Sequence, residues 1–298
     1  MTALFRQLAA EIRSALAELK ADSRQIGRYV LSTESHVYAF AIAANVLLSF
    51  WPFMLVLIAL FRNVMGWPAA VTALYATIQD FFAGATGEFL AYNLEMVTQW
   101  RYRVEWLSML LLLFTANGIF LPLEVALNRA WGVKENRSLL KNQIVSMGLI
   151  FACGLLALLS AALTGAGVQV WEAFFGQTGT SAPWAIKMFA KAASLPVTIL
   201  ALFLIYAYLP NMRVPRRAIL PRVVVVGLCL ELLKWINLAI WPWLFRKFDR
   251  EFGVFKHSVT ILTWSFLAAM VVLAGAEWIS WRTRQAGAEK PLESAPGP

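Results

Sequence analysis

The sequence predicts an all-α, polytopic membrane protein: six transmembrane helices in one bundle, with an N-terminal amphipathic helix at the interface. Three observations carry this. Sixty per cent of the 298 residues are hydrophobic and only 14% are charged, against about a quarter charged in soluble domains. Apolar runs of 18 or more residues recur along the chain, each long enough for a hydrocarbon core roughly 30 Å thick. The cations gather in short connections beside those runs rather than along one face. A net charge of +9 therefore reads as membrane-surface charge, not as a nucleic-acid footprint.

Residues 1–36 form the first unit, an amphipathic segment. No uninterrupted apolar core follows the start, so it does not read as a signal peptide. Leu4, Leu8, Ile12, Leu16 and Leu19 recur at helical spacing, with Arg6, Glu11, Arg13, Glu18 and Lys20 mostly off that stripe. Such a helix lies either in the membrane interface or against the protein's own loops.

Residues 37–281 form the transmembrane unit. The first span, Val37 to Phe61, carries Asn45 and Ser49 on one face and a bend at Pro52. The connection from Arg62 to Arg103 alternates turn residues with a helical apolar pattern at Val71, Leu74, Tyr75, Ile78, Phe81 and Phe82. It reads as short helices at the outer interface. The second span, Trp106 to Leu123, breaks at Gly118 and Pro122 and is followed by Glu124. At about 100° per residue, Asn117, Glu124 and Asn128 share one face. A cationic hairpin with Arg129, Lys134, Arg137 and Lys141 closes the stretch.

The third span, Ile144 to Leu163, is nearly free of ionisable groups and packs through Gly148 and Ala152. An outer loop, 164–186, leads to the fourth span, Trp184 to Leu209, where Lys187 and Lys191 snorkel outward and Pro196 bends the helix. After a basic turn with Arg213, Arg216 and Arg217 comes the fifth span, Ala218 to Trp243. There Glu231 and Lys234 are three residues apart and share a face. So deep a pair marks either a functional site or an internally satisfied structural contact; the sequence leaves both open. The loop KFDREFGVFKH leads to the sixth span, Ser258 to Trp281, with Glu277 near its end. The polar, Pro-containing residues 282–298 read as a disordered tail.

Six spans place both termini on one side. With the N-terminus inside, 16 of the 26 Lys and Arg residues lie inside and nine outside, with Lys234 left in the membrane, so cytoplasmic termini are expected. The cationic stretch Arg246 to Lys256 runs against that bias locally. Glu277 and Glu124 then fall near the inner face, and Glu231 about 20 Å deep. A ladder of the three acids requires their helices to adjoin.

Four stretches, in order, resemble the YihY/BrkB family of bacterial inner-membrane proteins, once mislabelled ribonuclease BN. They are LLSFWP at 47–52, LEVALNRAWGVKENRS at 123–138, YAYLPNMRVPRRAILPRVVVVGLCLELLK at 206–234 and LAGAEWIS at 273–280. Two departures stand out: Ala44 and Asn45 replace the family's usual Tyr-Tyr, and FGVFKH replaces a Gly-Ser-Leu-Gly type turn. The resemblance implies six spans in the inner membrane, cytoplasmic termini, no established catalytic centre, and roles from transport, including lipid export, to serum resistance.

The expected function is a transporter or translocator of lipid or another amphipathic solute. Its path candidates are Asn45, Ser49, Asn117, Glu124, Asn128, Glu231, Lys234 and Glu277. Arg129, Lys134, Arg137, Arg213, Arg216 and Arg217 are candidate inner-face contacts to anionic phospholipid. The alternative is a non-transporting scaffold of an envelope-assembly complex, its polar groups holding helices together. An enzyme is not expected. Two distant histidines, His36 and His257, and two intramembrane cysteines, Cys153 and Cys229, supply neither a metal site nor a nucleophile–base pair. No cofactor is expected, and no G-x-x-x-x-G-K loop suggests nucleotide drive.

Overall fold

The computed structural model describes residues 2–59, 61–62, 65–82, 85–99, 118, 120–133, 137–138, 141–149, 151–156, 184–212 and 214–288. Among them every regular element is helical: α1 (Thr2–Ala21), α2 (Ser23–Val30), α3 (Thr33–Ala59), α4 (Pro68–Phe81), α5 (Ala85–Gln99), α6 (Phe120–Ala130), α7 (Lys141–Leu156), α8 (Trp184–Tyr208), α9 (Arg216–Phe252) and α10 (Lys256–Ala288). Three of these helices, Thr33–Ala59, Ile219–Phe252 and Lys256–Gln285, are long and apolar enough to cross a membrane, and 141–156 and 195–208 are shorter apolar helices. Most of the expected second span (106–117), the end of the third (157–163) and the final residues 289–298 lie outside the described residues.

Local chemistry explains the helix ends. Ser32 caps α3: its Oγ accepts from the Ser35 amide at 3.2 Å, satisfying one of the donors that a first helical turn leaves unpaired. Pro68 opens α4 at the position where a missing amide costs nothing. Gly132 ends α6 with φ +69°, and the Val133 amide returns to the Asn128 carbonyl at 2.8 Å, the left-handed stop that glycine adopts without strain.

The core is built on α3 and α10, which share the most extensive helix–helix contact; α9 packs on α10, and α8 on α9. One apolar cluster joins Leu127, Tyr206, Leu209, Ile219, Leu273 and Ile279 across these helices and α6. A second joins Phe50, Leu57, Leu74, Ile78, Leu90 and Leu94, seating α4 and α5 on the second half of α3. The connection after the first span is thus helical, as its periodicity suggests.

At the opposite end of the bundle, α1 and α2 dock on α9 and α10. Ala15 is buried with Val225 and Trp278, and Leu19 and Ile26 pack around them. Asp22, between the two helices, accepts from Arg282 through both oxygens (2.6 and 2.7 Å) and from the Trp278 indole at 2.9 Å. Glu18 pairs with Arg222 at 2.8 Å. Of the two readings of the amphipathic segment, the second half of α1 takes the docked one on this face, while Leu16 points outward at 45% exposure.

Two boundaries differ from the sequence reading. The helix of the expected fifth span, α9, does not stop at Trp243 but runs on to Phe252, so Arg246, Lys247 and Arg250 sit on helix, not on a loop. The chain turns only at Gly253 (φ +51°), followed by a 3₁₀ turn over Gly253–Phe255. The charged residues there keep helical spacing, with Lys247 and Glu251 four apart and 4.0 Å distant, so nothing breaks the helix before glycine. The last helix likewise passes Trp281 and reaches Ala288, its Arg282 held by Asp22 and its Arg284 donating to the Ala130 carbonyl at 3.2 Å.

Candidate functional site

The polar residues inside the bundle fall into separate groups. The first surrounds Glu124, which is buried on α6 with Asn128. Side-chain amides of Asn128 and Asn142 serve its carboxyl as hydrogen-bond donors, and Arg137 supplies a nearby positive charge. Its Oε1 has no partner among the described residues. Asn128 also accepts the Asn211 amide at 2.7 Å, and Ser146 donates to Asn142 Oδ1 at 3.4 Å. The Arg137 guanidinium donates to the carbonyls of Leu209, Tyr208 and Pro210 at 3.0, 3.2 and 2.9 Å. Those carbonyls are the last of α8 and the two just beyond it, where helical partners run out, so the cation both fills their bonds and meets the negative end of the helix dipole. The hairpin after α6 and the turn after α8 are locked together by this group.

Two further groups adjoin α3. Asn45 and Ser49 face Gly118, where a Cβ would come within 3.3 Å of Asn45 Oδ1 and 2.8 Å of Ser49 Oγ. The backbone at the break in the second span is therefore pressed onto this polar face. Asn45 donates back to the Ala41 carbonyl at 2.8 Å. Asn117 itself lies outside the described residues. Glu277, on α10, lies 3.5 Å from Arg284 and close to Tyr29 on the docked α2 and Glu34 at the start of α3. Burial, then the charges of Glu277 and Glu34, hold the Tyr29 hydroxyl well above its ordinary pKa.

The last group lies between α8 and α9. Lys234 Nζ donates to Glu231 Oε1 at 2.7 Å, and Thr198 of α8 donates to the same oxygen at 3.2 Å. The pair is thus formed within one helix and extended to its neighbour. Asn237, three residues beyond Lys234, is 8% exposed, and its Oδ1 has no partner among the described residues. Glu231, Lys234 and Asn237 form a row along α9, at spacings of three.

An apolar layer separates this row from Glu277. Tyr206 is fully buried and its hydroxyl donates to the Val272 carbonyl at 2.7 Å. A Cβ on Gly275 would stand 2.5 Å from Val226 and 2.8 Å from the Tyr206 hydroxyl. Where Tyr206, Val226 and Gly275 meet, α8, α9 and α10 pack too closely for a polar passage. Glu231 is five residues beyond Val226, and Glu277 two beyond Gly275 in the other direction, so the acids differ in depth by about 10 Å. Glu124, Glu231 and Glu277 occupy three distinct surroundings, and no described side chain links them into a ladder.

The interlock of 123–138 with 206–211 joins two of the stretches that read as family motifs. A family model, virulence factor BrkB, matches residues 29–298. The chain belongs to this family. Among BrkB-like relatives it is 27% identical over 260 residues to a UPF0761 membrane protein of Chromohalobacter salexigens, covering 84% of this chain and 60% of that protein. It is 26% identical to one of Chlorobium chlorochromatii (82% and 55% covered) and 24% identical to one of Pseudomonas aeruginosa (80% and 57%). The chain thus spans a little over half the length of these relatives. No solved structure matches it.

In this BrkB-family chain the candidate lipid contacts divide. Arg129 pairs with Glu34 at 2.8 Å with its side chain 70% exposed, and Arg216 donates to the Tyr208 hydroxyl at 3.2 Å. Arg137 is engaged by three carbonyls. Lys134, Arg213 and the side chain of Arg217 lie outside the described residues, as do the side chains of Lys187 and Lys191. Sequence reasoning passed over Asn237, Thr198 and Asn142. Asn237 was within reach, since it continues the spacing that singles out Glu231 and Lys234. Thr198 and Asn142 carry no such signal until the helices are placed.

Proposed function

We propose that this BrkB-family membrane protein moves an amphipathic solute across the bilayer, with an anionic phospholipid as the class its charge favours. The observation that carries the reading is the Glu231–Lys234–Asn237 row, with Thr198, on a helix apolar enough to span the membrane. A charged side chain near a helix centre costs about 3 kcal/mol in hydrocarbon, so it belongs beside water, protein or ligand. The Lys234 side chain remains one-third exposed at the protein surface. A head group entering there would meet the Lys234 ammonium, with the Glu231 carboxylate on one side of it along the helix and the Asn237 amide on the other. The packed layer at Tyr206, Val226 and Gly275 closes the far end of this row, so passage requires α8 to move against α9 and α10. Inner-membrane residence with cytoplasmic termini belongs to the same proposal: the end bearing the docked α1 and α2 carries the larger share of the cations.

A second reading is favoured by the interlock around Asn128 and Arg137: polar groups spent on helix contacts suit a non-transporting scaffold. Reconstitution separates the two. Wild type, Glu231→Gln and Lys234→Met, at matched folded amounts in liposomes, are scored for movement of labelled phosphatidylglycerol between leaflets. Translocation predicts movement by wild type that either change abolishes. Wild type matching empty liposomes overturns it, and a loss of folded protein in Glu231→Gln favours the scaffold.

A further inference from the structure

The distribution of cations poses a problem at the end away from α1 and α2. Arg246, Lys247 and Arg250 lie there, against the bias that gathers Lys and Arg at the other end. They follow Trp243 at three, four and seven residues, so all four side chains share one face of α9. The opposite face is spent on the protein, with Trp241 and Phe248 buried. A shallow concavity is lined by Trp243, Arg246, Lys247, Arg250 and Glu251. Three cations thus meet one carboxylate, and that carboxylate stands only 4.0 Å from Lys247. Arg246 donates Nε to the Pro242 carbonyl at 3.1 Å, and neither arginine makes an ion pair among the described residues. Lys247 sits 5.6 Å over the Trp243 ring.

Depth identifies what such a face meets. Tryptophan marks the membrane–water boundary, and helical rise puts Arg246 about 4.5 Å, Lys247 about 6 Å and Arg250 about 10 Å beyond Trp243. The head-group layer extends roughly 5–8 Å past the hydrocarbon on each side. We infer that Trp243, Arg246, Lys247 and Arg250 form a binding face for the phosphate of an anionic phospholipid in the leaflet around this end of α9. The helix continues past Trp243 to carry Arg246 and Lys247 within that layer, and Arg250, just beyond it, has a long side chain that leans back toward the helix N-terminus; a chain that turned at Trp243 would lose them to a loop. Arginine forks suit phosphate oxygens and the indole holds the glycerol backbone level. The face is independent of the Glu231 row and of whether anything is transported.

The test uses the full chain in detergent micelles with equal phosphatidylglycerol and phosphatidylcholine, reading retained lipids by native mass spectrometry. Wild type is expected to retain phosphatidylglycerol preferentially. Arg246→Gln/Lys247→Gln/Arg250→Gln is expected to lower that preference roughly a hundredfold, as three near-surface cations imply. Arg246→Lys/Arg250→Lys, which keeps the charge, should retain most of it. Helicity and thermal midpoint are compared across variants, so that loss of fold is recognised; these side chains lie on the surface and should leave both unchanged. Millimolar glycerol phosphate should not displace the lipid. The inference is overturned if the triple variant retains lipid as wild type does, if wild type shows no preference, or if free glycerol phosphate competes as well as the lipid.

Discussion

Gly275 shows how much one residue decides in this bundle. Its missing side chain lets α10 approach α9 until Val226 would stand 2.5 Å from a Cβ. Gly275→Ala therefore forces Val226 and the buried Tyr206 to shift, and should destabilise by roughly 1–3 kcal/mol, read as a lower thermal midpoint in detergent. Tyr206→Phe removes the hydroxyl, which is also 2.8 Å from that Cβ, and its bond to Val272. Alone it should cost about 0.6 kcal/mol. Combined with Gly275→Ala it should cost less than the sum, because the two changes share one clash. Additive losses would show that the helices do not meet there as described. Asn237 makes the complementary case. Asn237→Leu removes a buried amide whose oxygen has no partner among the described residues, so stability should hold or rise. If the row guides a solute, the same change should lower transport; unchanged transport would remove Asn237 from the path.

At the scale of elements, the docked N-terminal segment hangs on Asp22. It is 5% exposed and accepts three charged or indole donors from α10. Asp22→Asn keeps the shape but leaves the Arg282 guanidinium without its carboxylate, at a cost of roughly 2–3 kcal/mol. Hydrogen exchange should then rise across α1 and α2 and leave α9 unchanged; equal protection would mean that apolar contact at Ala15 alone holds the segment. The sequence made part of this visible. The apolar period of α4 and the polar face of Asn45 and Ser49 follow from spacing, as does the helix at α1, though its buried face runs through Ala15 and Leu19 and leaves Leu16 outside. The latch did not, because Asp22 and Arg282 lie 260 residues apart and each reads alone as a solvated charge. Arg137 was legible as a cation but not as a cap: its partners are backbone carbonyls of residues 208–210, which no side-chain pattern reveals. The length of α9 was written in the sequence but overridden by charge. Arg246 to Glu251 look like a loop until their i, i+4 spacing and the late glycine are weighed together.

The whole molecule has two ends of different character, and the proposed orientation in a membrane rests on that difference. One end gathers the docked α1 and α2, the Arg137 interlock, and Arg222, Arg282 and Arg284. The other gathers the α9–α10 turn, with Thr86 3.1 Å from His257 and Phe89 stacked on it at 4.2 Å, so α5 reaches the same end. Between them α9 rises through 37 residues, about 55 Å, more than the 40–45 Å of bilayer and head groups together. A helix of that length, set along the membrane normal, would emerge at both faces. Ser138 and Glu251 are both exposed and belong to opposite ends. In a background of Cys153→Ala and Cys229→Ala, Ser138→Cys and Glu251→Cys should react with a membrane-impermeant maleimide from opposite faces of sealed vesicles. On the proposed orientation, which follows the larger cationic share, Ser138 should be labelled from the cytoplasmic face. Labelling of both from one face would mean that α9 does not cross, and the Glu231 row would then lie outside the membrane. Opposite labelling with Ser138 external would keep the crossing but reverse the orientation, and with it the leaflet that meets Arg246, Lys247 and Arg250.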